Sequence, residues 1–199
     1  MFFSLALALI IISIYNYKQQ KLFERVLKYQ EKIHYIIGYL LMFYLLIMLK
    51  EVIGFPSISN WQRVLNVQGN IFDPNISLIP FVNGILHSDY LNVVMFIPLG
   101  FFLPLMWRKY HNGFETIKFG FYLSLFIELS QLFTRFRATD INDLITNTIG
   151  AAVGRSIYFV FSKLLLRKIE PIPLFQSSKF LKYEPQLYVV IAAVASFLS

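Results

Sequence analysis

Apolar positions along the chain gather into six runs, about Phe2 to Tyr17, Ile33 to Leu49, Leu91 to Trp107, Phe119 to Phe133, Leu144 to Leu166 and Leu187 to Leu198, with the polar residues concentrated between them. A membrane-crossing helix needs roughly 20 mainly apolar residues, so the pattern predicts an all-α, polytopic membrane helix bundle of about five to six transmembrane helices. The last run is the shortest and follows Pro185, which suits either a tilted short span or a helix lying in the interface. The first run has its basic residues after it and no charged segment before it, the pattern of an uncleaved first span rather than a cleavable signal. The connection from Glu51 to Tyr90 is the only long one. Its turn signals, Phe55-Pro56 and Asp73-Pro74, and its apolar patch Ile76 to Val82 predict an ordered loop lying against the bundle.

The basic residues give the runs a direction. Lys18, Lys21, Arg25, Lys28 and Lys32 follow the first run, whereas only Lys50 and Arg63 follow the second. Arg108, Lys109 and Lys118 follow the third, Arg135 and Arg137 the fourth, and Lys163, Arg167, Lys168, Lys179 and Lys182 the fifth. Basic content alternates high and low, and the positive-inside rule then puts the first, third and fifth connections in the cytoplasm and the N-terminus outside. The expected organisation is an N-terminal two-span region over residues 1–76, with a basic cytoplasmic loop and an outer loop. A core follows over 77–166, then a basic connection with a short C-terminal apolar helix over 167–199.

Composition narrows the chemistry. Hydrophobic residues make up 57% and aromatics 18% of the 199 residues, well above a soluble domain, and the lipid bilayer is the first expected partner. The net charge of +7 does not indicate nucleic acid, because the lysines and arginines flank apolar runs, where they mark topology and touch anionic headgroups. The absence of cysteine excludes disulfides and thiolate chemistry, and His34, His87 and His111 are scattered, so neither a metal nor another cofactor is expected. His87-Ser88-Asp89 contains the residue types of a hydrolase triad, but adjacent residues seldom face one another, and ordinary loop chemistry is the reading.

One stretch breaks the apolar pattern: Glu128, Gln131, Arg135, Arg137, Asp140, Asp143 and Asn147 lie within "ELSQLFTRFRATDINDLITNTIG". With the predicted topology these residues, and Asn92 at the start of the third run, reach the extracytoplasmic side together. Glu128 and Gln131 are three apart on one helix face. At about 100° per residue, Asp140, Asp143, Asn147, Gly150 and Gly154 fall within an arc of about 80°, polar above and small below. Gly150 and Gly154 form a GxxxG pair, which makes this the packing face of its helix and turns the carboxylates inward. Asn92, Phe96 and Gly100 share a face of the third run, and Pro98 and Pro104 predict kinks that widen the bundle into a pocket. Two accounts compete. Capping and stapling would have Thr139 or Asp140 cap the fifth helix, Asp140 pair with Arg137, and Glu128 bond to Asn147 or Asn92. A functional site explains better why several carboxylates gather, since each costs about 2.5–3.5 kcal/mol at mid-membrane and like charges repel.

The ordered pattern Asn-x3-Phe-x-Pro-x-Gly at Asn92 to Gly100, Glu128-x2-Gln131, and Asp140-x2-Asp143-x3-Asn147-x2-Gly150, preceded by "SLIPF" at Ser77 to Phe81, resembles the VanZ-like family of bacterial membrane proteins. The resemblance covers roughly Ser77 to Tyr158. It implies a small multi-pass protein of the bacterial plasma membrane, in a family with members associated with resistance to teicoplanin and related lipoglycopeptides, and it supplies no reaction.

Three functional readings follow. The first is an outward-facing acidic pocket of Asn92, Glu128, Gln131, Arg137, Asp140, Asp143 and Asn147 that binds or remodels an envelope lipid, a peptidoglycan precursor or a lipoglycopeptide. In it Pro98, Gly100, Gly150 and Gly154 are structural. The second is an enzyme acting on an envelope lipid or peptidoglycan precursor, with Glu128 or Asp143 as acid or base and Arg135 or Arg137 on phosphate. An oxygen-ligand site for Mg²⁺ or Ca²⁺ is its weaker variant, because nearby arginines compete with a cation. The third is a small transporter; against it, the polar residues gather at one surface, Arg155 is the only charge deep in the fifth run, and there is no inverted repeat.

Overall fold

The computed structural model describes residues 2–23, 28–72, 75–82, 84–134, 138–164 and 179–199. The described residues are all-α. Seven α-helices follow one another, α1 Phe2–Phe23, α2 Lys28–Leu46, α3 Ile58–Gln68, α4 His87–Met106, α5 Gly113–Gln131, α6 Ile141–Leu164 and α7 Lys179–Phe197. A π-helical turn, Ile47–Val52, continues α2, and a 3₁₀ turn, Arg108–His111, joins α4 to α5. Three helical segments are long and apolar enough to cross a membrane, Ile33–Val52, His87–Met106 and Ile141–Leu164. α5 carries Glu115, Lys118 and Glu128 along its length, and α1 offers a shorter apolar stretch, Leu5–Tyr17.

The chain forms two compact units, one of residues 1–57 with 172–199 and the other of residues 58–171. In the first, α1 packs on α2 and α7. The Ser13 and Tyr39 hydroxyls are 2.9 Å apart. α2 and α7 run parallel in constant register: His34 faces Glu184 at 3.1 Å, the Tyr188 hydroxyl lies against Gly38, and Lys50 Nζ donates to Ser199 Oγ. A methyl group on Gly38 would sit 2.1 Å from that hydroxyl, so the small residue sets how closely the helices approach. The last apolar run is therefore part of a helix of 19 residues that passes through Pro185, rather than the short segment after it that hydropathy suggested. A proline in a packed helix is tolerated where neighbours satisfy the freed carbonyl.

In the second unit α4 and α6 are parallel and in backbone contact, with α5 antiparallel beside α6. A Cβ on Gly100 would lie 2.1 Å from Ala151 O, one on Gly154 2.0 Å from Ile97 O, and one on Gly150 2.3 Å from Val93 O. The face Asn92, Phe96, Gly100 thus lies on the stripe Asp143, Gly150, Gly154. Pro98 and Pro104 both sit inside one continuous helix. The pocket expected from kinking α4 is not what this seam makes: at Gly100 the two backbones touch, because glycine on both sides removes the side chains that would hold them apart.

The described part of the long connection contains α3, while its Asp73-Pro74 turn signal lies outside the described residues. Trp61 Nε1 of that helix donates to Phe133 O at 3.0 Å beyond the end of α5, and the rings of Phe72 and Phe133 pack at 5.8 Å. Ile76–Ser77 (β1) then pairs in parallel with Thr139–Asp140 (β2), a two-residue bridge that fastens the loop to the entrance of α6. His87-Ser88-Asp89 begins α4 rather than lying in a loop, and Asp89 Oδ2 accepts Leu86 N at 2.7 Å, a carboxylate satisfying a backbone donor in the first turn.

Candidate functional site

At the end of the second unit where α6 begins, side chains of α4, α5 and α6 meet. Asp140 immediately precedes α6 in the β1–β2 bridge, so it is not on the helical stripe itself. Its Oδ1 accepts Asn142 N at 2.9 Å, which caps the helix. Glu128 is 3% exposed, and its Oε2 accepts Asp140 N at 2.9 Å. The same oxygen takes the Gln131 amide nitrogen at 3.2 Å, in the orientation where that nitrogen also donates to Ala138 O at 3.2 Å. Thr139 Oγ1 donates to Glu128 O at 3.0 Å. Glu128 therefore serves the entrance of α6, not Asn147 or Asn92 as the stapling account had it, because the chain between α5 and α6 folds back over the end of α5.

The other carboxylate joins different helices. Asn92 Nδ2 on α4 donates to Asp143 Oδ1 on α6 at 2.7 Å, a neutral amide against a carboxylate. One turn further along α6, Asn147 Nδ2 donates to Ser124 Oγ of α5 at 3.0 Å. Asn147 Oδ1 is buried and has no partner among the described residues. Arg135 and Arg137, the latter a predicted ligand contact, lie outside the described residues. Asn92, Glu128, Gln131, Asp140, Asp143 and Asn147 are thus at one end of the unit. Pro98, Gly100, Gly150 and Gly154 belong to the helix seam below it.

Three residues of this network carried no expectation from the sequence. Asn142 Oδ1 accepts Phe81 N at 2.9 Å, which ties the "SLIPF" segment to α6, and Phe81 holds a φ of 52°, a left-handed conformation that an aromatic residue adopts at a cost of about 1–3 kcal/mol. Thr146 Oγ1 returns to Asn142 O at 2.7 Å. Ser124 is one turn before Glu128 on the same face of α5, and that spacing was a usable signal. Among the described residues no three His, Asp or Glu side chains converge closely enough to hold a metal ion. The acids instead take up amide donors of the protein itself.

The opposite end of the same unit is basic. His111 Nε2, in the turn after α4, donates to Pro104 O at 2.9 Å and so satisfies a carbonyl left free at the helix end. Burial holds the His111 imidazole below its ordinary range; the bond to Pro104 opposes this, and the nearby Arg155 and Arg108 charges add to it. Arg155 Nη2 donates to His111 O. The Arg155 side chain therefore reaches the turn after α4, although Gly154 beside it packs against Ile97 and Gly100 in the middle of that helix.

The profile described as VanZ/LLP1 matches residues 36–162, which takes in the second part of α2 and the whole run from α3 almost to the end of α6. Protein VanZ of Enterococcus faecium is 34% identical over 117 residues, a similarity that covers 54% of this chain and 71% of that protein. No solved structure matches. With a family match over more than half its length, and with apolar helices fit to cross a membrane, this chain belongs to the VanZ/LLP1 family of membrane proteins.

Proposed function

We propose that this chain is a multi-pass plasma-membrane protein whose N-terminus and acidic cluster face the outside of the cell, and that the cluster binds an envelope ligand and so lowers susceptibility to teicoplanin-type lipoglycopeptides. The carrying observation is the convergence of Asn92, Glu128 and Asp143 from three helices, with Asp140 from the strand before α6, at one end of the unit. Capping accounts for Asp140 Oδ1 and for Glu128 Oε2. It does not require Asp143, which meets an amide from a helix 51 residues earlier. A group of carboxylates and amides among apolar walls recognises a cationic or hydroxyl-rich headgroup joined to an acyl tail.

The helix directions support the crossing pattern. α2 and α7 run parallel within one unit, which is what an odd number of crossings between them produces, and α4, α5 and α6 supply three. Basic residues between the runs favour the end with the Arg108–His111 turn as cytoplasmic.

The test compares strains producing the wild-type chain, Asp143→Asn and Asp140→Asn at matched membrane levels. Both variants keep a hydrogen-bonding side chain of the same size. The reading expects the teicoplanin inhibitory concentration to fall to that of the empty strain while the melting temperature changes little. Unchanged tolerance at equal protein level contradicts it. Envelope lipid and precursor profiles from the same strains separate binding from catalysis, because binding leaves no altered product.

A further inference from the structure

Arg155 presents a chemistry that the acidic end does not use. Its guanidinium spends one N–H on the carbonyl of His111, and its Nε–H is buried with no partner among the described residues. Among the described residues no carboxylate accepts it either: Glu115, at the start of α5, pairs with Lys109 at 3.1 Å. Arg155 is half-buried, and a buried N–H without an acceptor is unfavourable, while Arg carries a planar fork of donors that fits a phosphate by two parallel hydrogen bonds.

A second donor stands beside it. The single hydrogen on His111 Nε2 is directed to Pro104 O at 2.9 Å, and Tyr158 Oη lies 3.1 Å from the same nitrogen. A nitrogen that donates cannot also accept, so the phenol can only accept there, and its own O–H is left for another acceptor. The Tyr158 and Phe159 rings stand 5.9 and 5.6 Å from the guanidinium carbon, and Lys163 Nζ lies 4.2 Å over the Phe159 ring. Arg108 is exposed in the adjoining turn. Around these polar groups the surface is apolar, with Phe114, Ile157, Phe159 and Val160 all exposed.

We propose that Arg155, with the Tyr158 hydroxyl and the neighbouring Arg108 and Lys163 charges, forms a site for the phosphate of an anionic phospholipid at the end of the unit opposite the acidic cluster. The exposed apolar residues favour a lipid over free phosphate, since they offer acyl chains a surface and an inorganic ion nothing. The site differs from the diffuse attraction of juxtamembrane lysines to a charged leaflet, because it consists of directed donors with vacant hydrogen bonds. It does not depend on which end of the protein faces the cytoplasm.

The experiment is native mass spectrometry of the purified full chain in detergent, titrated with phosphatidylglycerol or phosphatidylcholine, for wild type, Arg155→Lys, Arg155→Gln and Tyr158→Phe, with circular dichroism of each. The proposal expects phosphatidylglycerol to bind more tightly than phosphatidylcholine. It expects Arg155→Gln to weaken phosphatidylglycerol by about tenfold or more, the scale of losing charge-assisted hydrogen bonds, and Arg155→Lys to lose less. Tyr158→Phe keeps the ring and removes only the hydroxyl, so it is expected to weaken phosphatidylglycerol several-fold even where Arg155→Gln fails to fold. Millimolar inorganic phosphate is expected not to displace the lipid. Equal binding of the two lipids, unchanged affinity in Tyr158→Phe and a folded Arg155→Gln, or displacement by inorganic phosphate overturns it.

Discussion

Glu128 shows how one buried side chain can be read twice. Its carboxylate oxygen receives the backbone nitrogen of Asp140 and the amide of Gln131, so it holds the entrance of α6 against the end of α5. Glu128→Ala leaves both donors buried without an acceptor and is expected to cost about 1–3 kcal/mol in stability, whereas Glu128→Gln keeps an oxygen in place and loses less. Denaturant unfolding of the purified variants measures the difference, and equal losses would contradict the assigned bonds. At the other end His111 gives a pH dependence with a definite sign. Burial keeps the folded imidazole neutral at pH values where the unfolded one takes up a proton. Its contribution to stability is therefore complete above the unfolded value, about 6.5, and is lost as pH falls from there toward the lower folded value. Melting temperature against pH is expected to drop through that window less in His111→Gln than in wild type.

Among the elements, the α4–α6 seam is the part most legible in the sequence. GxxxG at Gly150 and Gly154, and the spacing of Asn92, Phe96 and Gly100, both identified packing faces, since close helix approach in a bilayer depends on small residues at one-turn intervals. What spacing alone could not give was the consequence. Prolines suggested a helix bent away from its neighbour, but the facing glycines bring the two backbones into contact. Gly100→Ala or Gly154→Ala would place a methyl carbon about 2 Å from a backbone oxygen that cannot rotate away, so the helices must separate. A loss of about 1–3 kcal/mol is expected from each, read as a lower unfolding midpoint, and no shift would contradict the contact. Gly38 differs in kind, because the obstructing atom is the Tyr188 hydroxyl. Gly38→Ala is expected to be partly rescued by Tyr188→Phe, a double-mutant coupling that backbone obstruction would not show.

For the whole molecule, the hydrophobic runs and the ordered polar motifs were enough to reach an all-α membrane protein and its family, while long-range pairings were not readable. His34 is a single histidine in an apolar run, and Glu184 stands beside a proline 150 residues later, so no local period relates them. Yet they are hydrogen-bonded and buried in the first unit, and Glu184→Ala is expected to destabilise that unit by about 1–3 kcal/mol, the scale of leaving a buried donor without its acceptor. The reach of the Arg155 side chain to the His111 carbonyl was unreadable for a similar reason: it depends on where the chain turns after α4, which hydropathy does not record. The functional account rests above all on the acidic end being open to the outside of the cell. The cysteine-free sequence allows that to be measured by placing single cysteines at Val67, 74% exposed beside the acidic end, and at Phe114, 68% exposed beside the basic end, then treating intact cells with a membrane-impermeant thiol reagent. The account predicts labelling at Val67→Cys in intact cells and at Phe114→Cys only after permeabilisation; labelling at Phe114→Cys alone in intact cells would contradict it.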